Sequence, residues 1–98
     1  METAAQKRER QDRILAELSE LGLVLARDLQ ACALAATEAS DKADLSLAFQ
    51  RTSRSIRQTL ALEARLERDR QAAGREAREV AQRAERIRVA RRKAQDRK

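Results

Sequence analysis

Residues 45–66 read LSLAFQRTSRSIRQTLALEARL. Within them Leu45, Phe49, Thr52, Ile56, Thr59, Glu63 and Leu66 recur at alternating intervals of four and three. That spacing keeps one stripe of a helix turned toward a partner helix. The same alternation continues through Arg70, Ala73, Ala77, Val80, Ala84, Ile87, Arg91 and Ala94, about seven heptads in all. The stretch therefore predicts a long helix with a coiled-coil-like seam.

Upstream, residues 37–44 (TEASDKAD) are the one credible break in helical pattern. Ser40 or Asp41 is a suitable N-cap, and Asp44 adds negative charge to the following first turn. A turn near 37–42 is expected. Before it, Ile14, Leu18, Leu21 and Leu25 form a helical stripe, which Leu29, Cys32 or Ala33, and Ala36 continue. Leu15, Leu23, Val24 and Leu34 widen it, which suits a helix packed against more than one partner. Two helices joined by so short a connection are antiparallel neighbours.

Composition supports this. The 98 residues include no Pro, two Gly, one Phe and no Trp or Tyr. Tight hairpin turns are starved of their usual residues, and the β-branched and aromatic types that favour sheet are scarce. The hydrophobic fraction is 42%, but about half of it is Ala. Large apolar residues gather in 14–66, while in 67–98 only Val80, Ile87 and Val89 are both large and apolar. An Ala layer buries far less area than a Leu layer. The expected organisation is a polar N-terminal extension of helix one at 1–13, a hairpin core at 14–66 and a basic helical arm at 67–98. A helix from 41 to 97 is about 85 Å long at 1.5 Å per residue, so helix one accompanies only part of it. The fold class is all-α: an antiparallel helical hairpin with a long basic second helix. Association into a four-helix bundle is the expected remedy for so small a core.

Two glycines interrupt the pattern. Gly22 is expected to permit close approach of another helix, and Gly74 is the weak point of the arm. Thr52, Thr59, Glu63 and Arg70 interrupt the apolar seam. Either Glu63 and Arg70 pair between chains, or the seam changes partner there and Leu60, Leu62 and Leu66 make the contacts. Cys32, flanked by Ala31 and Ala33, is expected to be a small core residue.

Several function classes are disfavoured. No His is present, so the familiar His-dependent triads are absent. One Cys and no His leave no ligand set for zinc. No secretory signal or membrane span is visible, and a cytoplasmic setting is expected. No Gly-rich phosphate loop or paired carboxylate site emerges, so no enzyme activity, cofactor or small-molecule substrate is expected.

The net charge is +6, and it is uneven: +1 over 1–13, −3 over 14–40, +2 over 41–66 and +6 over 67–98. The leading expectation is a non-enzymatic helical interaction module that associates with itself or with a larger helical protein. Its contact set is Leu18, Leu21, Leu25, Leu45, Phe49, Ile56, Leu60 and Leu66. The alternative is a sequence-nonspecific nucleic-acid-binding protein using Arg86, Arg88, Arg91, Arg92, Lys93, Arg97 and Lys98. With no aromatic platform in the arm, such binding would be directed at phosphate. The competing explanation is a solvated helix end whose basic residues complement the helix dipole. Arg51, Arg54 and Arg57 form a second basic patch, read more simply as the solvated side of an amphipathic helix. The arm's apolar face is poor for a lipid surface.

Overall fold

The structure, a computed structural model, describes residues 1–97. They form two α-helices and no strand: α1 spans Ala4–Ala35 and α2 spans Ala39–Asp96. The chain divides into two compact units, Met1–Ala64 and Arg65–Lys98, and α2 contributes to both.

In the first unit, α1 packs against the first part of α2 as a helical hairpin. Its start is fixed by Thr3, whose backbone is extended. The Thr3 hydroxyl accepts the Gln6 N–H at 3.1 Å, and Gln6 Oε1 accepts the Thr3 N–H at 2.9 Å. This reciprocal capping box satisfies two N–H groups that a bare helix end leaves unpaired. Residues 4–13 are thus the capped opening turns of α1.

The reversal occupies Ala36, Thr37 and Glu38. Ala36 is extended (φ −66°, ψ 134°), and its N–H donates to the Cys32 carbonyl at 2.9 Å. The Glu38 carbonyl then accepts the Lys42 N–H at 3.0 Å, opening α2. The chain turns earlier than the 37–42 expected from sequence. Ser40 and Asp41 lie inside α2 rather than capping it, and Asp41 places its charge in the first turn.

On α1 the residues withdrawn from solvent are Leu15, Ser19, Gly22, Ala26, Leu29 and Ala33, followed by Ala36 at its C-cap. On α2 within this unit the matching set is Leu45, Phe49, Thr52, Ile56, Thr59 and Glu63, flanked by Ala48 and Ser53. The α2 face is the one its spacing predicted. The α1 face is not: Ile14, Leu18, Leu21 and Leu25 are exposed, and the packed stripe lies one residue further along the chain. Residue size explains the shift. Ser19, Gly22, Ala26 and Ala33 are small, and small residues let helix axes approach closely. A Cβ on Gly22 would stand 2.8 Å from Cγ1 of Ile56, so the close approach expected of Gly22 is realised. Cys32 is another correction. It is exposed, because Leu29, Ala33 and Ala36 take the inward positions around it. Ala26, 6% exposed, is the one buried residue among those described.

In the second unit, α2 runs on without a break through Gly74 to Asp96. Leu66, Arg70 and Gly74 are half-buried, and every residue from 75 to 97 is exposed. Exposed helix of this kind draws support from its own side chains. Arg70 pairs with Glu67 at 3.8 Å, Arg88 pairs with Glu85, and Gln71 donates to Glu67 at 3.4 Å.

Candidate interaction surfaces

The inward face of the hairpin uses up few of its large apolar side chains. Ile14, Leu18, Leu21 and Leu25 remain 44%, 52%, 68% and 50% exposed. Spaced four, three and four apart, they line one side of α1 next to its packed stripe. They do not stand alone. Leu18, Leu21, Gly22 and Leu25 share an open groove with Thr52, Ser55, Ile56 and Thr59 of α2. Leu62 follows Thr59 by three and Ser55 by seven, which carries the apolar row onto α2, and it too is exposed.

Two of the three hydroxyls lining this groove, those of Ser55 and Thr59, are already occupied. Ser55 Oγ donates to the Arg51 carbonyl at 3.1 Å, and Thr59 Oγ1 donates to the Ser55 carbonyl at 3.0 Å. Such back-bonding to the preceding turn ties each hydroxyl to its own helix. A partner covering the groove need not supply hydrogen bonds to those donors. Glu63, further along α2, accepts from Ser19 Oγ at 3.2 Å across the hairpin. The polar interruption of the seam at Glu63 is thus answered within the chain.

Charged residues of both signs border this face. On α1 it is bordered by Glu17, with Glu20 and Arg13 beside Leu21, and by Asp28 one turn beyond Leu25. On α2 the bordering residue is Arg51, one turn before Ser55, and all these charged residues are exposed. Asp28 and Arg51 have no ion pair among the described residues.

The expected contact residues therefore part company. Leu45, Phe49 and Ile56 are half-buried on the inward face, while Leu18, Leu21 and Leu25 line the outer groove. Leu60 is exposed on the flank of α2 away from Ser55. Leu66 is half-buried in the second unit.

The basic candidates Arg86, Arg88, Arg91, Arg92, Lys93 and Arg97 are all exposed along the end of α2, and Lys98 lies outside the described residues. Ile87, Arg88, Arg91 and Arg92 border a shallow depression with Ala84 and Gln95. Arg51, Arg54 and Arg57 are exposed as well.

Three polar arrangements escaped the sequence reading. The Thr3–Gln6 box was legible as a Thr-x-x-Gln spacing at a helix start. The Ser19–Glu63 bond spans 44 positions, and no local pattern announces it. At the N-terminus, Glu2 accepts both Nε and Nη2 of Arg10, at 3.0 and 2.9 Å. The hydrogen bond from Arg10 is the chief reason the Glu2 carboxyl titrates below its ordinary range, and Glu2 in turn raises Arg10.

No group of His, Cys, Asp and Glu among the described residues is arranged to hold a metal ion. No described helix is long and apolar enough to cross a membrane. No family model, curated protein or solved structure matches the chain.

Proposed function

We propose that the chain is a non-enzymatic helical interaction module that self-associates through the outer groove of its hairpin, completing a four-helix, coiled-coil-like bundle. The observation that carries this is the exposed row Ile14, Leu18, Leu21 and Leu25 beside a groove in which the Ser55 and Thr59 hydroxyls are satisfied internally. One hairpin with a single buried residue has little apolar burial to offset the entropy of ordering its chain. A second hairpin laid on the groove would supply it.

Light scattering after size exclusion tests the proposal. The wild-type chain should elute as a dimer or larger species at micromolar concentration. Leu18→Glu and Leu25→Glu should retain helical circular dichroism and shift to monomer mass, while Leu23→Glu, on the other flank of α1, should not. A wild-type monomer at micromolar concentration would refute self-association.

A second reading places nucleic-acid binding on the end of α2, and the observation that favours it is the continuous exposure of Arg86, Arg88, Arg91, Arg92, Lys93 and Arg97. It is compatible with self-association, because it uses different residues.

A further inference from the structure

We infer that the occupant of the outer groove is a second copy of the chain set in one particular way: α1 of each copy lies over α2 of the other, with both Ala36–Glu38 turns at the same end. The inference rests on the self-association proposed above and specifies its geometry.

Two hairpins that meet groove to groove about a two-fold axis have two choices. With the axis across the helices, α1 lies over the partner's α1 and the turns point to opposite ends. With the axis along the helices, α1 lies over the partner's α2 and the turns coincide. Apolar contacts scarcely distinguish these choices, since both bury Leu18, Leu21 and Leu25. Charge distinguishes them. Residues 14–40 carry −3 and residues 41–66 carry +2. Like over like would lay the net-acidic 14–40 segment of one copy on that of the other, and the net-basic 41–66 segment on its own copy. Such juxtaposition of like charges disfavours an arrangement more reliably than rim pairs strengthen a correct one.

The crossed arrangement also matches in height. Gly22 is level with Ile56, the atom its Cβ would meet. Asp28 lies six residues toward the turn on α1, about 9 Å, and Arg51 lies five residues toward the turn on α2, about 7.5 Å. With coincident turns, Asp28 of one copy comes opposite the partner's Arg51, and the symmetry makes that pair twice. Both are exposed and unpaired in the single hairpin, so forming the pair breaks no existing ion pair.

Spin-label distances on the full chain read the geometry directly. Thr37→Cys in a Cys32→Ser background puts one label on the exposed turn. Coincident turns give a label-to-label distance under about 25 Å, two helix spacings across the bundle. Opposed turns give about 50 Å, because Thr37 lies about 17 residues from the middle of the Ile14–Leu25 row. Charge exchange is the second arm, at low salt. Asp28→Arg or Arg51→Asp alone should weaken dimerisation about tenfold, and the two together should restore it to within about threefold. A dimer with a distance near 50 Å, or a double variant no tighter than the single ones, would overturn the crossed arrangement and leave self-association standing. A chain that is monomeric before any substitution would overturn both.

Discussion

The place where a Gly22 Cβ would stand lies 2.8 Å from Cγ1 of Ile56, closer than real Cβ atoms come to another carbon. Gly22 is therefore a point of close approach between the two helices of the hairpin. At Gly74 the corresponding nearest atom is Nη1 of Arg78 at 3.8 Å, the far end of a flexible side chain.

The two glycines should respond with opposite sign to the same substitution. Gly74→Ala gains helix propensity without a steric cost and should stabilise α2 by about 0.5–1 kcal/mol. Gly22→Ala gains the same propensity but overpacks Ile56, which costs about 1–3 kcal/mol. The net effect is destabilising by up to about 2 kcal/mol. Ile56→Ala removes the obstructing atoms, so urea titration of the two single variants and the double should show strong coupling. Additive effects would mean the helices do not meet at Gly22.

Ser19→Ala should destabilise the hairpin by about 1–2 kcal/mol, because it strips a half-buried carboxylate of its partner. Glu63→Leu restores an apolar residue to the α2 seam and should raise stability. In that background Ser19→Ala should cost almost nothing, which chemical denaturation can measure.

The Glu2 carboxyl is held below the ordinary range, first by the hydrogen bond from Arg10. A lowered carboxyl pKa in the folded state means that the contact contributes above the unfolded pKa and is lost as pH falls through the folded one. NMR titration should place the Glu2 midpoint below that of an ordinary glutamate. Arg10→Gln should return it upward, and the pH dependence of helicity at the start of α1 should flatten.

If the end of α2 binds nucleic acid, the binding should be insensitive to sequence and steep in salt. Seven basic residues from 86 to 98 limit the slope of log K against log salt to about −6. Deleting 86–98 should abolish that slope in a fluorescence titration with DNA or RNA. Unchanged binding after the deletion would reduce these residues to a solvated helix end.

The architecture was largely written in spacing. The α2 seam from Leu45 to Glu63 turned inward position for position, because its four-and-three spacing keeps one side of the helix on its partner even where the residue is Thr52, Thr59 or Glu63. Helix α1 misled because it offers two such stripes. Its bulky residues, Leu18, Leu21 and Leu25, form an orderly stripe, but its small residues, Ser19, Gly22 and Ala26, form another one position along. A hydrophobicity count favours the first, and close packing within the hairpin takes the second. The same competition turned Cys32 outward. The turn falls a few residues before the capping residues Ser40 and Asp41, which are good caps wherever they occur, because the Ala36 and Glu38 backbones make the reversal without them. The outer groove could not be read from either helix alone. It exists only once Leu18 and Leu21 stand beside Ser55 and Thr59.

The three-residue reversal at Ala36–Glu38 also orders events in time. Half-buried residues beside it, such as Ala33 and Leu45, are joined by a short loop, whereas the Ser19–Glu63 bond must close one spanning 44 positions. Loop closure costs more entropy as the loop lengthens, and local contacts form sooner. The hairpin therefore zips from its turn outward. Amide exchange should slow toward the turn, and Ser19 and Glu63 should be among the last residues to lock during folding and the first to part when the hairpin opens.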